Sequence, residues 1–129
     1  MKNEEMHMKR KDDELPFAVT RRGMRFHHIG IPTKEQKPNE KYMDKYKFYV
    51  SGFDTSEYGI EWMRFEPDSP VADIIKKIPH VAFEVDNLEE AIERKKLIGK
   101  INSPSKGVRT AMIMENGAPV EFLEFENHE

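Results

Sequence analysis

The chain has no cysteine. That excludes disulfides, thiolate metal sites, iron–sulfur clusters and cysteine nucleophiles. It also lacks an excess of charge of one sign: 21 Lys and Arg stand against 24 Asp and Glu, for a formal net charge of −3. Nucleic acids and anionic membranes are held by broad basic fields, so neither is expected as a partner. No apolar run approaches the ~20 residues that span a bilayer. The opening stretch MKNEEMHMKRKDDE has no apolar segment of the kind a secretory signal carries, so a soluble cytoplasmic protein is expected. Nor is there length for several domains, because 129 residues suit one.

What is present is a series of short apolar runs separated by turn residues. Residues 1–14 are too polar to offset their ordering entropy, and 15–24 read as a short edge strand or an arm lying on a partner. Segment 1–24 is therefore expected to be disordered or arm-like, ahead of one domain over 25–129. Strands are predicted at Phe26–Ile31, Tyr46–Val50, Gly59–Phe65, His80–Val85, Val108–Met114 and Val120–Phe125. Residues 33–45, with Pro38 inside, predict a loop or a poor helix. VADIIKKI, between Pro70 and Pro79, predicts a short helix. Asp86 and Glu89 fit a capping box that opens a helix carrying Leu88, Ala91, Ile92 and Lys95 on one stripe and ending at Gly99. Asn116-Gly117 predicts a tight hairpin between the last two strands.

The chain repeats itself. FHHIGI lies over IPHVAF with His28 on His80, and EWMRF lies over EFLEF with Glu61 on Glu121. A unit made of a histidine-bearing strand and a later glutamate-bearing strand thus occurs twice. The first copy is shorter where the second has its helix. A repeated β-rich unit implies two copies sharing one core. Strand alternation then assigns faces. His28 shares a face with Phe26 and Gly30, and His80 with Ala82, so small residues leave room beside each imidazole. Ile29 and Ile31, like Val81, Phe83 and Val85, form faces fit to pack against helices. Glu61 and Glu121 each begin an otherwise apolar face, and a buried carboxylate there needs a strong partner. Two imidazoles and two carboxylates supply one for a divalent cation, with Zn, Ni, Co, Fe or Mn as fits. Four protein ligands with open positions describe a catalytic site rather than a closed structural one.

The motifs HHIGI, PHVAFEVDNLEEAIE and GAPVEFLEF resemble the vicinal oxygen chelate superfamily, the glyoxalase, bleomycin-resistance and extradiol-dioxygenase group, over residues 26–126. The resemblance implies an α+β fold of two paired βαβββ modules, 25–66 and 79–126, whose curled mixed sheet encloses a cavity. The helix of the first module is degenerate. The glyoxalase I pattern of His then Glu in each module falls on His28, Glu61, His80 and Glu121 as metal ligands. It implies a metal-dependent lyase, isomerase or epimerase acting on a small substrate with vicinal oxygens through an enediolate. Glu121 or Glu61 would be the general base, and Ni, Co or Zn the metal. Extradiol dioxygenases would use His28, His80 and Glu121 around Fe(II), and binding or resistance members of the group use the cavity without catalysis. Methylmalonyl-CoA epimerases share the layout but usually carry Gln where this chain has Glu61. Members of this size commonly pair, and the weak first module leaves its sheet incompletely covered, so a homodimer is expected.

Other residues have plainer readings. A one-residue slip would put His27 in place of His28. Trp62 reads as core or interface, His7 and His128 as tail residues, and Met112 and Met114 as packing. Arg21, Arg22 and Arg25 read as a solvated basic run.

Overall fold

The computed structural model describes residues 9–11 and 15–126. Eight strands form one sheet: β1 (Arg25–Pro32), β2 (Lys41–Met43), β3 (Phe48–Ser51), β4 (Ile60–Phe65), β5 (His80–Glu84), β6 (Lys96–Ser105), β7 (Val108–Glu115) and β8 (Ala118–Phe125). Three short helices accompany them: α1 (Phe17–Thr20), α2 (Asp73–Lys77) and α3 (Leu88–Ile92). The result is a small α+β fold built on a curled, mixed half-barrel sheet.

Strand order explains the sequence repeat. The order is β2-β3-β4-β1-β5-β8-β7-β6, which reads the same from either edge when each strand of the first half is exchanged for its counterpart in the second. β1 pairs parallel with β4, and β5 parallel with β8. β1 and β5 meet antiparallel at the centre. The registers are equivalent: Gly30 faces Glu61 in one half and Ala82 faces Glu121 in the other. Across the centre His28 pairs with Ala82, and Gly30 with His80.

Each strand's alternation separates a convex from a concave face. On the convex side Met24, Val85, Leu88, Ala91, Ala111, Ile113 and Phe122 form the main core, with Phe83, Ile92 and Val120 packed on it. On the concave side Ala82, Val108 and Leu123 cluster, beside the buried His28 and His80. The predicted helix packing of the Val81/Phe83/Val85 face is thus realised by α3. Among the described residues no helix covers the corresponding face of the first half. There Ile29 and Ile31 stay half-buried, and the 33–40 loop lays Lys37 Nζ 4.1 Å over the Trp62 ring.

Several predicted details are corrected. Residues 17–20 are a helical turn rather than an edge strand, and residues 1–8 and 12–14 lie outside the described part. The α3 cap is Asn87, whose Oδ1 accepts from Glu90 N at 2.9 Å. The two residues expected to form the capping box are engaged elsewhere: Asp86 accepts from Arg25 at 3.0 Å and Glu89 takes a bidentate Arg109. α3 stops at Ile92, so Lys95 is not on its stripe. Gly99, at φ 75°, sits instead in an irregular stretch of β6, where only a left-handed residue fits. The short strand β2 also emerges from a segment expected to be loop or poor helix. The Asn-Gly hairpin forms as predicted, with Asn116 at φ 52° and Gly117 at φ 81°.

Candidate metal centre

The inner strands bring His28, His80 and Glu121 together. One ligand atom from each lies within 4.8 Å of the other two. His28 Nε2 is 3.3 Å, and His80 Nε2 3.2 Å, from Glu121 Oε1. Glu61 joins from the other side, its Oε1 3.2 Å from His28 Nε2. It is not one of the three mutually close residues. Two ligands about 2.0–2.1 Å from a shared four-coordinate ion sit roughly 3.3 Å apart, so the spacing around Glu121 already matches a coordination edge.

Backbone register places these groups, and small residues make room for them. A Cβ on Gly30 would lie 2.3 Å from His80 Cε1 and 2.6 Å from its Nε2. The cross-strand glycine is therefore what allows the imidazole to lie flat over β1. Ala82, fully buried, plays the matching part beside His28.

A β-bulge adds a partner that simple alternation does not foresee. Between Phe26 and His28 the pairing with β5 slips by one residue, so Phe26 pairs with Phe83. The expectation that Phe26 shares the His28 face fails for that reason. Neighbouring residues of a regular strand point apart, yet here His27 Nδ1 lies 2.8 Å from His28 Nδ1. His27 also stacks on Phe53, with ring centroids 4.9 Å apart.

Electrostatics fit a site built for a cation. Burial opposes charge on His28, but the Glu121 hydrogen bond and the charges of Glu121 and Glu61 outweigh it and raise its pKa. Burial likewise opposes ionisation of Glu121, and the hydrogen bonds from His28 and His80 overcome it, holding the carboxyl at about 2. Burial raises Glu61 despite the nearby imidazoles. Burial, then His28, lowers His27. The donor set does not balance on its own. His28 Nε2 alone faces two carboxylates, and His80 Nδ1 is buried with no hydrogen-bond partner among the described residues. Two imidazoles and a carboxylate converging on one point could hold a divalent metal ion, and the donor chemistry of these residues fits that group.

Beside the centre lies a cavity of about 420 Å³ with Glu121 in its wall. Met43, Phe48, Met63, Ile75, Ile98 and Met112 make the wall largely apolar. Ile75 belongs to α2, so the connector between the two halves contributes to it. Lys45 Nζ donates to the Ser103 carbonyl at 3.3 Å, tying the loop after β2 to β6 and drawing the two sheet edges together. Tyr46, Lys45 and Lys100 also line this cavity. None of the three stood out in the sequence, because nothing local distinguishes them from surface residues.

No protein-family model matches the chain. No curated protein matches it either. Among solved structures, a hypothetical protein from Bacillus halodurans C-125 superposes with a TM-score of 0.62 at 19% identity, over 82% of this chain and 97% of that one. A methylmalonyl-CoA epimerase from Mycobacterium tuberculosis superposes with a TM-score of 0.55 at 17% identity, over 79% of this chain and 88% of that one. Both likenesses, at under 25% identity, concern the fold alone.

Proposed function

We propose that this protein is a metal-dependent enzyme of glyoxalase or epimerase type, removing a proton from a carbon next to the paired oxygens of a small substrate. The convergence of His28, His80 and Glu121 beside an apolar cavity carries the reading. A divalent ion held by these three, with Ni, Co or Zn the best fits, supplies Lewis-acid stabilisation of the charge that develops on the substrate oxygens. The chain's own residues divide the remaining work. Glu121 touches both imidazoles and serves as a ligand. Glu61 touches only His28 of the pair, and burial raises its proton affinity. It is the carboxylate free to take the proton and return it. The epimerase among the fold neighbours is compatible with this reaction class.

A second reading has a specific observation in its favour. Two histidines and one carboxylate, with Glu61 outside the group, is also the ligand set of Fe(II) oxygenases. Elemental analysis of the purified protein separates the two. Stoichiometric Ni, Co or Zn, together with exchange of a substrate C–H proton for solvent deuterium that fails in Glu61→Gln, supports the first reading. Stoichiometric Fe with oxygen consumption supports the second. A protein that takes up no divalent ion would refute both and leave a binding protein.

A further inference from the structure

The two histidines of the centre are held differently. His28 is engaged at both ring nitrogens. Its Nε2 lies 3.2 Å from Glu61 Oε1 and 3.3 Å from Glu121 Oε1, and its Nδ1 lies 2.8 Å from His27 Nδ1. His80 meets Glu121 through Nε2 at 3.2 Å, and its buried Nδ1 has no hydrogen-bond partner among the described residues. The sequence repeat breaks at the same point. When His28 is laid on His80, His27 falls on Pro79, whose side chain can neither donate nor accept. The His27 ring is itself held in place. The bulge between Phe26 and His28 re-aims it, and it stacks on Phe53 with 4.9 Å between centroids and 19° between planes. The Phe125 ring lies 5.7 Å away.

We propose that His27 is the positioning residue of the metal centre: it accepts a hydrogen bond from His28 Nδ1–H and so leaves the His28 Nε2 lone pair aimed at the ion. This deepens the metal reading given above and rests on it. An imidazole that ligates through Nε2 is neutral only when its proton sits on Nδ1, and a buried N–H there needs an acceptor. Ligating histidines ordinarily give that proton to a carboxylate, a backbone carbonyl or water. Here the acceptor is a second imidazole, supplied by the preceding residue. In a regular strand that residue would face the opposite side of the sheet, so the bulge is what makes the contact. His27 accepts at Nδ1 as the tautomer that carries its own proton on Nε2. His28 is then the ligand whose ring is oriented before an ion arrives.

Zinc titration of the chelator-stripped protein, beside His27→Phe and His27→Asn, tests this. Phenylalanine keeps a ring to stack on Phe53 and loses the acceptor. Asparagine loses the ring and keeps an acceptor, its Oδ1, at the same distance along the side chain as Nδ1. His27→Phe is expected to bind zinc about tenfold more weakly or worse, and His27→Asn to stay within about threefold of the parent. A merely structural role gives the reverse order, because phenylalanine preserves the packing that asparagine removes. Equal zinc affinity in the parent and His27→Phe, or His27→Asn binding no more tightly than His27→Phe, overturns the proposal. NMR of the metal-free parent, labelled in its histidine nitrogens, keeps this claim apart from the metal reading. A scalar coupling between the Nδ1 atoms of His27 and His28 is expected without any ion, and its absence overturns the proposal even where zinc binds. A parent that shows the coupling and takes up no zinc supports the orientation of His28 by His27 and contradicts the metal reading.

Discussion

At the scale of single residues, the site depends on one absent side chain. Gly30 leaves the volume in which the His80 ring lies, and any Cβ there would sit 2.3 Å from that ring. Gly30→Ala is expected to cost about 1–3 kcal/mol as an overpacked interior position. It should weaken metal binding beyond that, because His80 must rotate away. Thermal melting and a metal titration on the same preparation measure both. Protonation gives a second test. His28 has a raised pKa in the fold, so without metal its stabilisation is fully present below the unfolded value of about 6.5 and is lost as pH rises through the folded one. Glu121 is lowered to about 2, so its contribution is present above the ordinary carboxylate range and is lost only as pH falls toward that value. Metal reverses the slope near neutrality, since the ion needs His28 deprotonated. With His27, whose lowered pKa gives the opposite slope, replaced by Asn, the metal-free protein should melt lower as pH rises past 6.5, and the metal-loaded protein higher. Melts that shift in the same direction with and without metal would refute this account.

That His28, His80 and Glu121 would come together was readable at this scale for a definite reason. Each histidine precedes a small residue by two positions, and strand alternation carries that spacing straight into space. His27 was not readable as a partner of His28, because its position depends on a bulge, and a bulge is set by pairing with a distant strand. The HH pair at the head of a strand was the only local sign.

At the scale of elements, α3 is five residues long and cannot be stable by its own propensity. Leu88, fully buried, and Ala91 hold it on the sheet, and Arg109 ties it down by bridging Glu89 and Glu124. Leu88→Ala should therefore destabilise the fold by about 2–5 kcal/mol in chemical denaturation while the metal centre, on the opposite face, keeps its affinity in the folded protein. Elements were legible where apolar alternation was strong, as in β1, β4, β5, β7 and β8. They were illegible where it was weak. β6, in KLIGKINSPS, is mostly exposed, interrupted by Gly99 and paired irregularly with β7. Its existence follows from the neighbouring strand rather than from its own composition. The same holds for the three-residue β2.

At the scale of the whole molecule, the two halves share a strand order but differ in how their convex faces are covered. The second carries α3. The first relies on a loop in which Glu40 grips Arg64 with both oxygens, at 2.6 and 2.8 Å, and Arg64 lies 4.2 Å over Tyr49. Those interactions are polar and leave Ile29, Ile31 and Trp62 half-buried. Pairing of two copies through this face is the proposal that follows from the incomplete cover. Sedimentation equilibrium at micromolar concentration should report a dimer, and a monomer would remove that proposal without touching the site.

The central claim is that His28, His80 and Glu121 hold one divalent ion. Calorimetric titration of Zn(II) or Ni(II) into chelator-stripped protein, beside His80→Ala and Glu121→Ala shown by circular dichroism to be folded, tests it most directly. The account predicts one ion per chain in the parent and none at the same concentrations in either variant. Undiminished uptake in both folded variants, or no uptake in the parent, would contradict it.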